Sequence, residues 1–391
     1  MNHVGRLRAT SIALCIGITA VAAACGSSST PPGTRTTTKP ASTTAAAPGE
    51  PTTKPPLTGL LDMGVQTPYQ TAQPFPTTNP DTLDAYAGAF SGIVVNESWS
   101  QLEPSPGVED WAPLDRSLAA VQTWNRAHPT TPLGVKLRIF AGYSAPAWVV
   151  SASGPPVQIV TGRKQQRTKA IGRWWTTPFR QAWSAFQHAL AARYDTNPLV
   201  RQVSVSSCSS STGEPFVVSG AKSSQAALAA AGWTPLEQEQ CLQGALSDYS
   251  GWIHTPITFA FNPLITPSGP NASSMESIMK QCAGSHASGG PVCVLGNNDL
   301  STLAPSGRYS APAYAEIAAL EAHNIPPPTV YFQTVGAAVS CADIATGLDY
   351  HASSIELWPP NGLHYQGFSA IPKTTLARWN AALTSGTKLT C

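Results

Sequence analysis

Eight short apolar runs, each closed by turn residues and most separated by helical patterns, constrain this chain more than any other feature. They are Gly59–Val65, Gly92–Val95, Gly134–Phe140, Leu199–Val205, Ile257–Phe261, Val292–Leu295, Thr329–Val335 and Ser354–Leu357. Val135, Leu137 and Ile139 alternate with Lys136 and Arg138, the period of a strand with one apolar face. Phe179, Trp183, Phe186 and Leu190 recur at helical spacing over Pro178–Tyr194. Other helices are expected over Asp81–Phe90, around Leu114–Val121, over Pro312–His323 and over Thr374–Leu383. One more starts at Thr234-Pro235-Leu236-Glu237, where Thr is the N-cap, Pro takes the first position and Glu the third. Strands alternating with helices in one long domain predict an α/β fold, specifically a (β/α)8 TIM barrel. No glycine-rich phosphate loop follows the first strand, and neither GxGxxG nor GxxxxGK[ST] occurs, which argues against nucleotide chemistry.

The N-terminus reads as export machinery. Arg6 and Arg8 precede an apolar run from Ile12 to Val21, and Ala22-Ala23-Ala24-Cys25-Gly26 resembles a bacterial lipobox. Residues 1–25 are then a lipoprotein signal peptide with Cys25 lipidated; ordinary signal cleavage is the competing reading. The apolar run is short for a membrane span. Residues 26–57 are mostly Ser, Thr, Pro, Ala, Gly and Lys, the composition of a disordered tether. Residues 58–391 form the barrel domain, long enough to bury a full core. The expected protein is an exported monomer, held at the membrane by its lipid alone and facing the wall or the exterior.

Six cysteines remain after Cys15 and Cys25 are set aside: Cys208, Cys241, Cys282, Cys293, Cys341 and Cys391. An even set in an exported chain implies disulfides. Fifteen pairings exist, and the sequential one (208–241, 282–293, 341–391) needs only local loops. No CxxC or HxxxH spacing points to a metal, and no cofactor is expected. A net charge of +2 argues against nucleic acid as a partner, while 11 Trp in a chain with only 11% charged residues fit a carbohydrate-binding surface. Most of those Trp are nonetheless expected in the core.

The region after the second run reads Trp99-x-x-Leu102-Glu103-Pro104-x-x-Gly107-x-x-Asp110-Trp111-x-x-Leu114-Asp115. It resembles a signature found after the second strand of retaining glycoside hydrolases with (β/α)8 barrels, the cellulase, β-galactosidase and xylanase-like clan. Leu137-Arg138 through Trp148, Trp174-Trp175 through Phe179, Ala192 through Val200, and Gly213-Glu214-Pro215 continue the likeness. It implies an enzyme acting on a carbohydrate substrate, with Glu214, at the end of strand four, as the general acid. In that clan the acid follows Asn, where this chain has Gly213. The clan nucleophile is a Glu ending strand seven, where this chain has Gln333.

Glycosidic cleavage ordinarily uses two carboxyls, one protonating the departing oxygen and the other acting as nucleophile or activating water. Glu356, at the end of strand eight, is the candidate partner for Glu214, with Asp299 behind it; a structural or hydroxyl-binding role for Glu356 is the other reading. Glu103 is expected to support the site from behind. Asn96, Glu97, Arg138, Tyr143, Asn297 and Gln333 are candidate substrate contacts near strand ends, and Trp148 and Trp358 are better sugar platforms than Trp174 or Trp175. The His residues are scattered and no GxSxG motif occurs, which disfavours a serine hydrolase. The substrate is read as an oligo- or polysaccharide, with a cell-envelope glycan one option. The alternative is a catalytically inactive barrel that binds carbohydrate as an envelope lipoprotein.

Overall fold

The computed structural model describes residues 52–63, 78, 80–161, 167–210, 213, 215–216, 221–266, 269–307, 309–322, 330–334, 339–358 and 370–391. Eight parallel strands close into one barrel: β1 Gly59–Asp62, β2 Gly92–Ser98, β3 Gly134–Phe140, β4 Val200–Ser204, β5 Ile257–Ala260, β6 Cys293–Leu300, β7 Val330–Thr334 and β8 Ala352–Leu357. Each pairs with its neighbours in sequence, and β8 returns to β1. Helices α1 Ala112–Ala127, α2 Thr177–Tyr194, α3 Pro235–Asp248, α4 Ser273–Gly284, α5 Ala311–Ala322, α6 Cys341–Asp349 and α7 Lys373–Ser385 lie outside the strands, and among the described residues a 3-10 turn over Pro80–Tyr86 stands between β1 and β2. This is the (β/α)8 barrel that the periodicity predicts. Thr234 caps α3 by accepting the Glu237 amide at 3.1 Å.

Helices α4 and α6, and a shorter one over Lys222–Ala230, were not among the expected ones. Met275, Ile278, Met279 and Cys282 form the buried stripe of α4 at helical spacing. Ser340 and Asp343 form a reciprocal capping box that starts α6. An antiparallel hairpin, Val157–Thr161 with Arg167–Ile171, is inserted after β3; residues 162–166 lie outside the described residues.

The strands divide their side chains between two environments. Ile93, Val95, Val135, Leu137 and Ile139 face outward and pack under α1 and α2, where Leu114, Leu118, Phe179, Trp183 and Phe186 complete the core. The inner face carries Lys136 and Arg138 from β3, Gln202 from β4, Gln333 from β7 and Glu356 from β8, all buried. The lumen is therefore strongly polar.

The barrel floor, at the N-terminal ends of the strands, is crossed by Thr52–Leu57. Lys54 donates from Nζ to the carbonyls of Asn197 (2.7 Å) and Val200 (2.8 Å) and to Thr255 Oγ1 (2.9 Å). Arg201 bonds the Pro55 carbonyl through both Nε and NH2. Leu57 is buried against Gly92 and Gly134 at the starts of β2 and β3. Thr52–Leu57, expected as the end of the tether, is instead packed against the barrel, because Lys54 and Leu57 have partners beneath it. Cys25 and the signal peptide lie outside the described residues.

Three disulfides join Cys208 to Cys241, Cys282 to Cys293 and Cys341 to Cys391, the sequential pairing. Among the described residues no helix is long and apolar enough to cross a membrane.

Candidate active site

The C-terminal ends of the strands form the face on which barrels of this kind build their sites. β3 places Lys136 and Arg138 in the lumen because successive side chains alternate sides and Leu137 belongs to the outer core. β8 brings Glu356 to meet both. Arg138 donates from NH2 to Glu356 Oε2, and Lys136 Nζ stands 2.5 Å from Oε1. Lys136 also lies over the Tyr331 ring, 3.5 Å from its centroid, a cation–π contact out of solvent.

Burial alone would raise the Glu356 pKa, but the charges of Arg138 and Lys136, with their hydrogen bonds, hold it below the usual carboxylate range. Glu356 is therefore ionised across ordinary pH. The cations occupy one position on each oxygen, and a carboxylate offers about four lone-pair sites, so each oxygen keeps acceptor capacity. Gln333 of β7 is in register with Glu356 and buried beside it.

Asn96 shares this inner face, in register with Arg138, and its Nδ2 donates to the Met63 carbonyl at 2.8 Å. Tyr143 follows β3 in a short 3-10 turn, and burial pushes its phenol up to about 12. Trp358 is half-buried immediately after β8, with its backbone amide on Thr334 Oγ1 at 3.0 Å.

Three expected contacts lie elsewhere. Glu97 is in register with Ile139, on the helix side of the wall, so it is not at the mouth. It is fully buried, neither carboxylate oxygen has a hydrogen-bond partner among the described residues, and burial raises its pKa to about 8, moderated by Arg116. Asn297 pairs with Phe332, also on the outer side, and its amide bonds the Phe261 carbonyl at 2.8 Å and Asn262 Oδ1 at 3.3 Å. Trp148 packs edge-on against Trp99 with centroids 6.3 Å apart, and its Nε1 donates to the Glu103 carbonyl at 3.2 Å. Those partners make it part of the packed layer behind the barrel rather than an open platform. Glu103 itself accepts from Trp99 Nε1 (2.7 Å) and the Gly107 amide (3.0 Å), the bonds of a supporting residue.

Glu214 lies outside the described residues; its chain neighbours Gly213 and Pro215 are described. Gly213 rests on Arg138: a Cβ added there would come within 2.7 Å of Arg138 Cδ. The first part of the loop is pinned to the turn after β3, where the Tyr143 amide donates to the Ser210 carbonyl at 3.1 Å. Gly142 has φ +53° and leaves no room for a Cβ, which would stand 2.5 Å from that carbonyl oxygen.

The residue patterns had marked Arg138 but not Lys136 as a candidate, although both occupy the polar side of the same alternating strand. Gln238 was missed as well, because its partners are scattered from Trp174 to Trp233. Among the described residues no group of three His, Cys, Asp or Glu is placed to hold a metal ion.

The structure is similar to solved glycoside hydrolase barrels. Endo-glycoceramidase II from Rhodococcus sp., in a cellobiose-like imidazole complex, is 14% identical over 79% of this chain and 75% of its own, with a TM-score of 0.47. The catalytic domain of β-amylase from Paenibacillus polymyxa is 8% identical over 82% of this chain and 97% of its own, at 0.48. An endogalactoceramidase is 16% identical over 77% and 70%, at 0.43. At these identities the likeness is one of fold. No protein-family model and no curated protein sequence matches the chain.

Proposed function

We propose that this barrel is an exported glycoside hydrolase cleaving O-glycosidic bonds of an oligo- or polysaccharide, with Glu214 as general acid and Glu356 as its ionised partner. The observation that carries this reading is the position of Arg138. Its guanidinium bonds the β8 carboxylate, while its stem supports Gly213, the residue before Glu214. One side chain thus brings the backbone of the β4 loop and the β8 carboxylate to the same corner of the barrel mouth.

The chemistry needs this asymmetry. Cleavage requires one carboxyl that keeps a proton for the departing oxygen and one that stays negative beside the developing oxocarbenium ion. Glu356, held ionised by two cations, meets the second requirement. Glu214 would donate its proton to the glycosidic oxygen as the C–O bond breaks. Asn96, Tyr143 and Trp358, at the strand ends, are the residues best placed to receive sugar hydroxyls and a ring face.

Three disulfides favour an oxidising compartment, in accord with an exported, Cys25-anchored lipoprotein. The Thr52–Leu57 strap lies on the floor, at the end of the barrel opposite the mouth.

The test is release of new reducing ends from a panel of envelope and plant polysaccharides by wild type and E214Q. The expected loss is about 10²–10⁴-fold, the usual contribution of a general acid, with glycan binding retained. Equal turnover by E214Q would remove the assignment. Binding without turnover by wild type would make the protein a carbohydrate-binding barrel instead.

A further inference from the structure

We propose that Gln238 is the positioning residue of the acid-bearing loop, its side-chain amide clamping both ends of residues 208–215. This inference rests on the reading of Glu214 as the general acid.

Gln238 is fully buried on α3. Its Nε2 donates to the Cys208 carbonyl at 2.6 Å and to the Pro215 carbonyl at 3.2 Å. Its Oε1 accepts from Trp174 Nε1 at 2.8 Å and from Trp233 Nε1 at 3.1 Å. The orientation of the amide follows from the partners. Indole N–H groups can only donate and backbone carbonyls can only accept, so the oxygen must face the tryptophans and the nitrogen the loop. All four positions of the amide are used, and a fully satisfied buried network is rigid.

The arrangement has the geometry of a clasp. The chain leaves the clamp at Cys208, runs past Gly142 and Tyr143, and returns at Pro215, the residue directly after Glu214. Cys208 is fixed a second time by its disulfide to Cys241, one turn along α3 from Gln238. Its backbone sits at φ +61°, a left-handed conformation that costs a non-glycine residue about 1–2 kcal/mol and persists only where its surroundings enforce it. Trp174, one of the weaker platform candidates, and Trp233 thus have a different role here: they hold the amide that holds the loop.

The isosteric substitution Q238E separates clamping from packing. One oxygen of the new carboxylate can still accept from both indoles, but the other replaces the donor Nε2 with an acceptor facing the Cys208 and Pro215 carbonyls. When protonated it can donate to one of them. Hydrogen exchange of the 209–216 amides should therefore speed up at least about tenfold. Cleavage should fall by about 10–100-fold in kcat with KM little changed, the size of effect produced by a small misplacement of a reacting group. Both defects should deepen as pH rises through ionisation of the introduced carboxyl and recede as it falls. Q238L, which has no titrating group, should show a loss independent of that ionisation.

Wild-type exchange rates and an unaltered pH profile in Q238E would overturn the proposal. If Q238E fails to fold, W233F decides the matter: freeing one lone pair of the amide should raise 209–216 exchange selectively, and unchanged exchange would refute the clasp. A wild type that cleaves no glycan would remove the hydrolase reading, while the exchange measurements would still test the clasp.

Discussion

Removing the carboxyl of Glu97 should flatten the pH dependence of stability between pH 5 and 8. Glu97 is sealed on the helix side of β2, and burial raises its pKa from an ordinary 4.5 to about 8, with Arg116 offsetting part of the rise. In the unfolded chain the carboxyl ionises near its ordinary value, while in the barrel it keeps its proton until pH nears 8. The folded state therefore binds the extra proton throughout that window. Its stabilising effect is complete below pH 4.5, declines as pH rises, and is gone above pH 8. One pKa unit corresponds to about 1.36 kcal/mol. Between pH 5 and 7 the wild type should thus lose about 2–3 kcal/mol from this group, roughly 5 °C in Tm for a domain this large. Burial also raises Asp248, to about 6, and it contributes in the same direction. The informative quantity is accordingly the difference between wild type and E97Q, followed by circular dichroism melts from pH 5 to 8. That difference should move in favour of E97Q as pH rises. A difference constant across the range would show that Glu97 ionises in place, and would refute its isolation from solvent and partners.

Three further outcomes follow from the same packing. E356Q should leave Lys136 and Arg138 buried against a neutral amide and cost about 3–5 kcal/mol in urea unfolding; a loss under 1 kcal/mol would mean that the cations do not depend on this carboxylate. Gly142→Ala places a Cβ against the Ser210 carbonyl at positive φ and should cost about 1–3 kcal/mol, with faster exchange at Ser209 and Ser210; wild-type stability would refute the close approach. Joint replacement of Cys208 and Cys241 by Ser opens a crosslink spanning 33 residues and should cost about 3–4 kcal/mol by loop entropy, read as a lower midpoint in denaturant, and an unchanged midpoint would contradict it.

The wall of the barrel was legible because it obeys simple periods. Val135, Leu137 and Ile139 alternate with two cations, and Phe179, Trp183, Phe186 and Leu190 mark one helix face; each pattern reports a local boundary between core and lumen or solvent. The site was legible only in part, since it depends on parity and on distant contacts. Asn96 and Glu97 are adjacent and polar, so alternation cannot say which one enters the lumen; register with Arg138 and Ile139 decides it. Glu356 could be marked as an acid at a strand end. That it would meet Lys136 and Arg138, more than 200 residues earlier, required the closed barrel. Trp148 lay just past a strand, as a platform would, but Trp99 and the Glu103 carbonyl draw it into the layer behind.

The composition of the lumen bears on why these polar groups are there at all. Stability would be served by filling the barrel with branched apolar side chains, as barrels commonly do, and Ala260, Val294 and Tyr331 form a small cluster of that kind. On the other side of Tyr331, Lys136 is packed against the ring and bound to Glu356. A buried ion pair seldom stabilises a protein more than apolar residues of equal volume, because desolving the charges offsets their attraction. Two cations set on one carboxylate are harder still to justify as stabilisation. Their placement does have an effect that an apolar lumen could not produce: Glu356 stays ionised while out of water, and the Arg138 stem supports the start of the Gly213–Phe216 segment. Burial drives Glu97, one layer away, in the opposite direction. The same barrel thus holds one carboxyl charged and another neutral: two cations bond directly to Glu356, whereas at Glu97 the charge of Arg116 offsets only part of the effect of burial.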